Sequence, residues 1–92
     1  MAKRLTIEGR VQGVGYRMSF AEAARALGLA GWVRNLRSGA VEACVHGEAE
    51  AIHAIVTWAK RGPPAARVER VSIVESDEDF SAQRQFVILE TH

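Results

Sequence analysis

What most constrains the fold is the order in which two hydrophobic periods alternate along the chain. In residues 4–11, Leu5, Ile7 and Val11 alternate with Thr6, Glu8 and Arg10, the period of a strand with one buried face. The spacing then changes. Phe20, Ala23, Ala24 and Leu27 fall at i, i+3, i+4 and i+7, which predicts a helix over residues 17–29, with Gly28 suited to its C-terminal cap. Ser19 and Glu22 have capping-box spacing and offer a later start, but we favour the earlier one. Residues 30–36 and 40–46 read as two strands of a hairpin turned by Arg37, Ser38 and Gly39. A second helix follows, with Glu48 and Glu50 in its first turn and Ile52, Ile55, Val56 and Ala59 as its apolar stripe. Lys60 and Arg61 close it, and Gly62, Pro63 and Pro64 stop it. Residues 68–75 and 84–90 read as strands separated by the acidic run Ser76, Asp77, Glu78 and Asp79.

The order is strand, helix, strand, strand, helix, strand, with a further short C-terminal strand. This is the split βαβ plan: an α+β, ferredoxin-like fold, an antiparallel sheet with two helices on one face. It places the first two strands parallel with the third between them, so their C-terminal ends share a rim and Asn35 lies beside the loop after strand one. With 92 residues, no low-complexity tract and no repeat of solenoid length, residues 1–92 are expected to form a single domain. Such a chain is too small to enclose a deep cofactor, so a site on the rim is expected.

A formal charge of +1 implies no broad electrostatic attraction to nucleic acid or membrane, so any preference for anions must be local. The one cysteine, Cys44, allows no internal disulfide, and no apolar run approaches membrane length. A cytoplasmic, reducing setting is the default expectation.

A local anion site is offered by the stretch from Gly9 to Arg17. Glycines at 13 and 15 permit positive φ and close approach of a ligand, and the next helix points its free N–H groups back at the same turn. Gln12, Val14 and Tyr16 add no negative charge, and Arg17 brings a fork-shaped cation to the helix start. Taken alone, these glycines equally well make a tight strand-to-helix connection. Neither a Lys-Ser/Thr pair nor a G-x-G-x-x-G spacing accompanies them. Asn35 shares the parity of Gly31 and Val33, so it points to the helix-covered face at a strand end, where an amide can both donate to and accept from a water. On residue type alone it equally suits a turn that bonds its own backbone.

Taken together, Gly9-x-Val11-Gln12-Gly13-Val14-Gly15-Tyr16-Arg17, then Gly31-Trp32-Val33-Arg34-Asn35 and Gly39-x-Val41, resemble the acylphosphatase family. Gly62-Pro63-Pro64, Val68-x-x-Val71 and Phe86-x-Ile88 extend the resemblance over nearly the whole chain. The resemblance implies hydrolysis of the carboxyl–phosphate anhydride of small acyl phosphates, giving a carboxylate and inorganic phosphate. It implies that Arg17 holds the phosphoryl group, that Asn35 orients the attacking water, and that Gln12, Gly13, Val14, Gly15, Tyr16 and Arg17 form the phosphate-binding loop with backbone donors. Met18 and Ser19, just after the arginine, bear only on substrate preference. The scheme needs no cofactor and no metal, because a carboxylate is already a good leaving group and positioning plus charge suffice. The expected partner is the small-molecule substrate, with no nucleic acid and no membrane, and the expected state is a monomer.

The other reactive side chains fit no competing chemistry. Cys44 sits mid-strand on the face opposite the core-facing residues, and no glycine loop surrounds it as a thiolate phosphatase would require. His46, His53 and His92 are scattered, and the acidic run lacks calcium-loop spacing, so surface histidines and a solvated loop are expected. Trp32, Trp58 and Phe80 are expected to complete or flank the core. An RNA-binding sheet would need aromatic stacking residues on the central strand, and residues 40–46 carry none. The alternative that survives is a non-catalytic phosphate- or anion-binding regulatory module of the same fold, which has no need of a water-positioning amide.

Overall fold

The computed structural model describes residues 1–80 and 83–92. Its elements run β1 (Ala2–Arg10), α1 (Tyr16–Ala26), β2 (Ala30–Asn35), β3 (Val41–His46), α2 (Ala49–Arg61), β4 (Arg67–Glu75) and β5 (Phe86–Ile88). The strands form one sheet in the order β4-β1-β3-β2-β5, antiparallel throughout except for the parallel pair β2 and β5. This is the expected ferredoxin-like α+β arrangement.

Register explains how the rim is built. Strand β3 pairs Val41 with Ile7 on one side and with Asn35 on the other, so the C-terminal ends of β1 and β2 emerge on the same edge. The alternation of β1 sends Leu5 and Ile7, both fully buried, against the helices. They meet Phe20 and Ala24 of α1, Ile52, Ile55 and Ala59 of α2, and Val33, Val41 and Val45 of the neighbouring strands. Burial of this contiguous apolar face is what selects the register, because a slip of one residue would send the same side chains to the other side.

The opposite face carries a second, smaller cluster of Ala2, Trp32, Cys44 and Phe80. Cys44 therefore lies opposite the main core, as its parity predicts, yet it is fully buried. The chain after β4 folds back over it. The acidic run is not simply solvated as expected: Glu78 accepts a hydrogen bond from Trp32 Nε1 at 2.9 Å and pairs with Arg4 at 3.5 Å. The Arg34 guanidinium lies 4.6 Å from the Trp32 ring centre and is held by Glu42 at 2.7 Å.

Helix α1 departs from its predicted stripe at one end. It stops at Ala26, and Gly28, in the left-handed region at φ 72°, turns the chain so that Gly28 N donates to Arg25 O and Leu29 N to Ala24 O, both at 3.0 Å. This paired C-terminal cap delivers Leu29 to the core and leaves Leu27, predicted as the last apolar contact, 37% exposed. Strand β5 is also shorter than the predicted residues 84–90, although the backbone beyond it stays tied to β2 through Leu89 N to Val33 O and His92 N to Asn35 O, both 2.9 Å. No helix among the described residues is long and apolar enough to cross a membrane.

Candidate active site

The rim site begins with the glycines. Gly13 and Gly15 sit at φ 76° and 77°, a conformation that costs a side-chain-bearing residue free energy even though a Cβ at either would meet nothing within 4 Å. Conformation and not space therefore asks for glycine here. Gly15 is the N-cap of α1 and offers no side chain of its own to the helix end. A left-handed residue followed by a helical one turns successive amides toward a common point, a concavity suited to anions. The first helical hydrogen bond is Ser19 N to Gly15 O at 3.0 Å, so the amides of Tyr16, Arg17 and Met18 precede the ladder. No acidic residue occupies the first turn. The early start of α1 thus prevails over the capping-box alternative at Ser19 and Glu22.

These groups surround a cavity of about 270 Å³ lined by Val11, Gln12, Gly13, Gly15, Tyr16, Arg17, Met18, Asn35 and Ile88. Among these residues Arg17 is the one charged side chain. None of the ion pairs among the described residues involves it. Its one side-chain hydrogen bond among the described residues is a long one, 3.4 Å from an Nη to Leu89 O, which leaves most of its five donors available. Asn35 reaches the same cavity from the end of β2, and its Oδ1 is buried with no hydrogen-bond partner among the described residues. A buried acceptor in that condition costs free energy unless something donates to it.

The remaining loop residues are divided between site and scaffold. The Tyr16 ring is buried against Phe20 and Trp58, and its hydroxyl donates to Ala59 O at 2.8 Å, so only its amide is free to face an anion. Burial pushes the phenol well above its ordinary pKa. The Val14 side chain packs on the core and is not among the residues lining the cavity. Both donors of the Gln12 side-chain amide are engaged by backbone carbonyls, to Leu36 O at 2.7 Å and Ala40 O at 2.8 Å.

Two exposed apolar residues form part of the cavity wall, Met18 (64% exposed) and Ile88 (39%). Met18 was legible as a neighbour of Arg17. Ile88 was not, because its place depends on the register Val33↔Ile88 in a three-residue strand with no local signal. A larger cavity of about 670 Å³ lies between α1 and the end of α2, with Glu22 and Arg61 among its lining residues. It lacks the glycine loop and carries a carboxylate, which disfavours an anionic ligand. The other reactive side chains stay apart: His53 and His92 are exposed, His46 packs its ring 5.7 Å from that of Phe80, and Cys44 has its thiol pKa raised chiefly by burial.

The sheet and its two helices define a ferredoxin-like α+β protein whose rim carries a glycine-lined cavity with one arginine that has no ion-pair partner among the described residues. The sequence profile of the acylphosphatase family matches residues 3–88. An acylphosphatase of Acidovorax sp. (strain JS42) is 55% identical over 76 residues, 83% of this chain and 78% of that protein. Among solved structures, an acylphosphatase from Bacillus subtilis superposes with a TM-score of 0.89 at 35% identity, covering 96% of this chain and 97% of the other. One from Coxiella burnetii gives 0.88 at 38% identity, covering 96% and 90%. The chain belongs to the acylphosphatase family, enzymes that hydrolyse acyl phosphates.

Proposed function

We propose that this chain cleaves the carboxyl–phosphate anhydride of small acyl phosphates by direct attack of water on phosphorus. Arg17 and the backbone amides of residues 12–17 hold the phosphoryl oxygens, and Asn35 orients the water. The oxygen of water bonds to phosphorus as the bond from phosphorus to the acyl oxygen breaks, the electron pair leaving with the carboxylate. The proton of water passes to the phosphate product and solvent, and the carboxylate needs no acid to depart. In a loose phosphoryl-transfer transition state, charge spreads over the equatorial oxygens, so a fixed cation and preorganised amides supply most of the required stabilisation.

The observation that carries this reading is the buried, unpartnered Oδ1 of Asn35 in the same cavity as Arg17 and the two left-handed glycines. A module that only binds phosphate gains nothing from an unsatisfied amide acceptor beside its anion cradle, whereas a hydrolase can use that amide to hold water. We further propose that residues 1–92 act as one catalytic unit, monomeric and cytoplasmic, whose chemistry calls for no cofactor, metal or nucleic acid. The test is turnover of benzoyl phosphate, acetyl phosphate and p-nitrophenyl phosphate side by side in ¹⁸O-water. We expect strong preference for the two anhydrides, with label in phosphate. Equal use of the ester, label in the carboxylate, or phosphate binding without turnover would each contradict the proposal.

A further inference from the structure

We infer that the Gln12 side chain is a positioning residue: its amide clamps the phosphate-binding loop to the hairpin carrying Asn35 and so sets the separation between phosphoryl anchor and water-orienting amide. This inference rests on the roles proposed above for Asn35 and the loop. Its basis is a pair of hydrogen bonds that join two segments just where both leave the sheet. Strand β1 ends at Arg10 and its pairing with β3 already at Ile7, so that ladder no longer governs residue 12, whereas the hairpin still ties Leu36 to Ala40. There Gln12 Nε2 donates to Leu36 O and to Ala40 O, the two carbonyls at the ends of the β2–β3 turn. Asn35 immediately precedes the first of these carbonyls, and Gly13 immediately follows the clamp.

Those carbonyls do not depend on Gln12 for a partner. Leu36 N donates to Ala40 O at 2.8 Å, and Gly39 N donates to Leu36 O at 3.1 Å, so each oxygen keeps a backbone donor on its other lone pair. The turn is therefore complete without the glutamine. What the side chain adds is a fixed relation between turn and loop, and with both amide donors committed it has none to give to substrate. The anion cradle draws its own shape from Gly13, Gly15 and the start of α1, so grip on phosphate should survive loss of the clamp while alignment of the water should not.

The test is a double-mutant cycle of Gln12→Met, which keeps length and removes the donors, with Asn35→Ala, reading kcat, the inhibition constant for inorganic phosphate, and thermal unfolding. Since a misplacement of about 1 Å can cost on the order of a hundredfold in rate, Gln12→Met should lower kcat by at least about tenfold while the phosphate constant moves less than about threefold. In the Asn35→Ala background the same substitution should lower kcat by less than about twofold, because the water that the clamp helps to align is already lost. Gln12→Glu should not rescue, since it sets a carboxylate against two carbonyls. Wild-type kcat in Gln12→Met beside an impaired Asn35→Ala, multiplicative losses in the double variant, or failure of Gln12→Met to fold would each overturn the clamp alone. Wild-type kcat in Asn35→Ala would overturn the functional reading and the clamp with it.

Discussion

Removing a single oxygen from Tyr16 separates its structural work from the chemistry beside it. Its ring is 1% exposed and packs against Trp58 with ring centres 5.4 Å apart, and its hydroxyl donates to Ala59 O at 2.8 Å. That carbonyl lies in the last turn of α2, where the next helical donor would be the amide of residue 63. Residue 63 is proline and has none. Tyr16 thus supplies the donor that the proline withholds and ties the start of α1 to the end of α2. In Tyr16→Phe the ring still fills its place, but a buried acceptor loses this partner, a cost of about 1–3 kcal/mol. For a domain of this length each kcal/mol lowers the melting temperature by roughly 4–8 °C, so a fall of at least about 4 °C is expected by calorimetry or circular dichroism. Well below that transition kcat should stay within about twofold of wild type, because only the amide of residue 16 faces the site and the substitution keeps it. An unchanged melting temperature, or lost turnover in a protein of unchanged stability, would refute the assignment of this side chain to the scaffold. The raised phenol pKa adds a pH signature: the fold favours the neutral form, so the contribution is complete below the ordinary value of 10.0 and is lost as pH rises above it. Tyr16→Phe should flatten that alkaline decline.

Arg17→Lys should raise both KM and the phosphate inhibition constant and lower kcat, since a point charge cannot make the two-pronged contact, and wild-type kinetics would contradict that. Gly15→Val has open space for its Cβ but must adopt φ 77°, so activity should fall by more than tenfold while stability falls by about 1–3 kcal/mol; unchanged turnover would remove the loop from the mechanism. Cys44, fully buried with its thiol donating to Ser76 Oγ, should react with a thiol reagent at least about tenfold more slowly in the folded than in the unfolded protein, and Cys44→Ala should retain turnover, as should wild type in excess EDTA. Rapid labelling of the native protein, or loss of activity in either case, would be the contrary outcome.

Much of this architecture was legible because local patterns and tertiary demands agree. The alternation of Leu5, Ile7 and Val11 and the stripe of Ile52, Ile55 and Ala59 each point to one buried face, and the structure buries those residues against one another. Parity alone placed Asn35 on the helix side of the rim. What escaped depends on contacts between distant segments. Leu27 belongs to the apolar period but lies beyond the helix end that Gly28 enforces. Glu78 reads as one of three acids in a solvated run, and only the folding of its loop across the sheet brings it to Trp32. The Gln12 amide gives no sign in the sequence that its partners lie 24 and 28 residues away. Ile88 enters the site through strand register in β5, too short to announce itself by alternation.

The central claim is that one cavity divides its labour, with Arg17 and the loop gripping the phosphoryl group and Asn35 aligning the nucleophile. Steady-state kinetics of Asn35→Ala, with inorganic phosphate as competitive inhibitor, tests that division most directly. The account predicts a fall in kcat on the order of a hundredfold, with the phosphate inhibition constant within about threefold of wild type. A normal kcat, or a parallel loss of phosphate affinity and turnover, would contradict it.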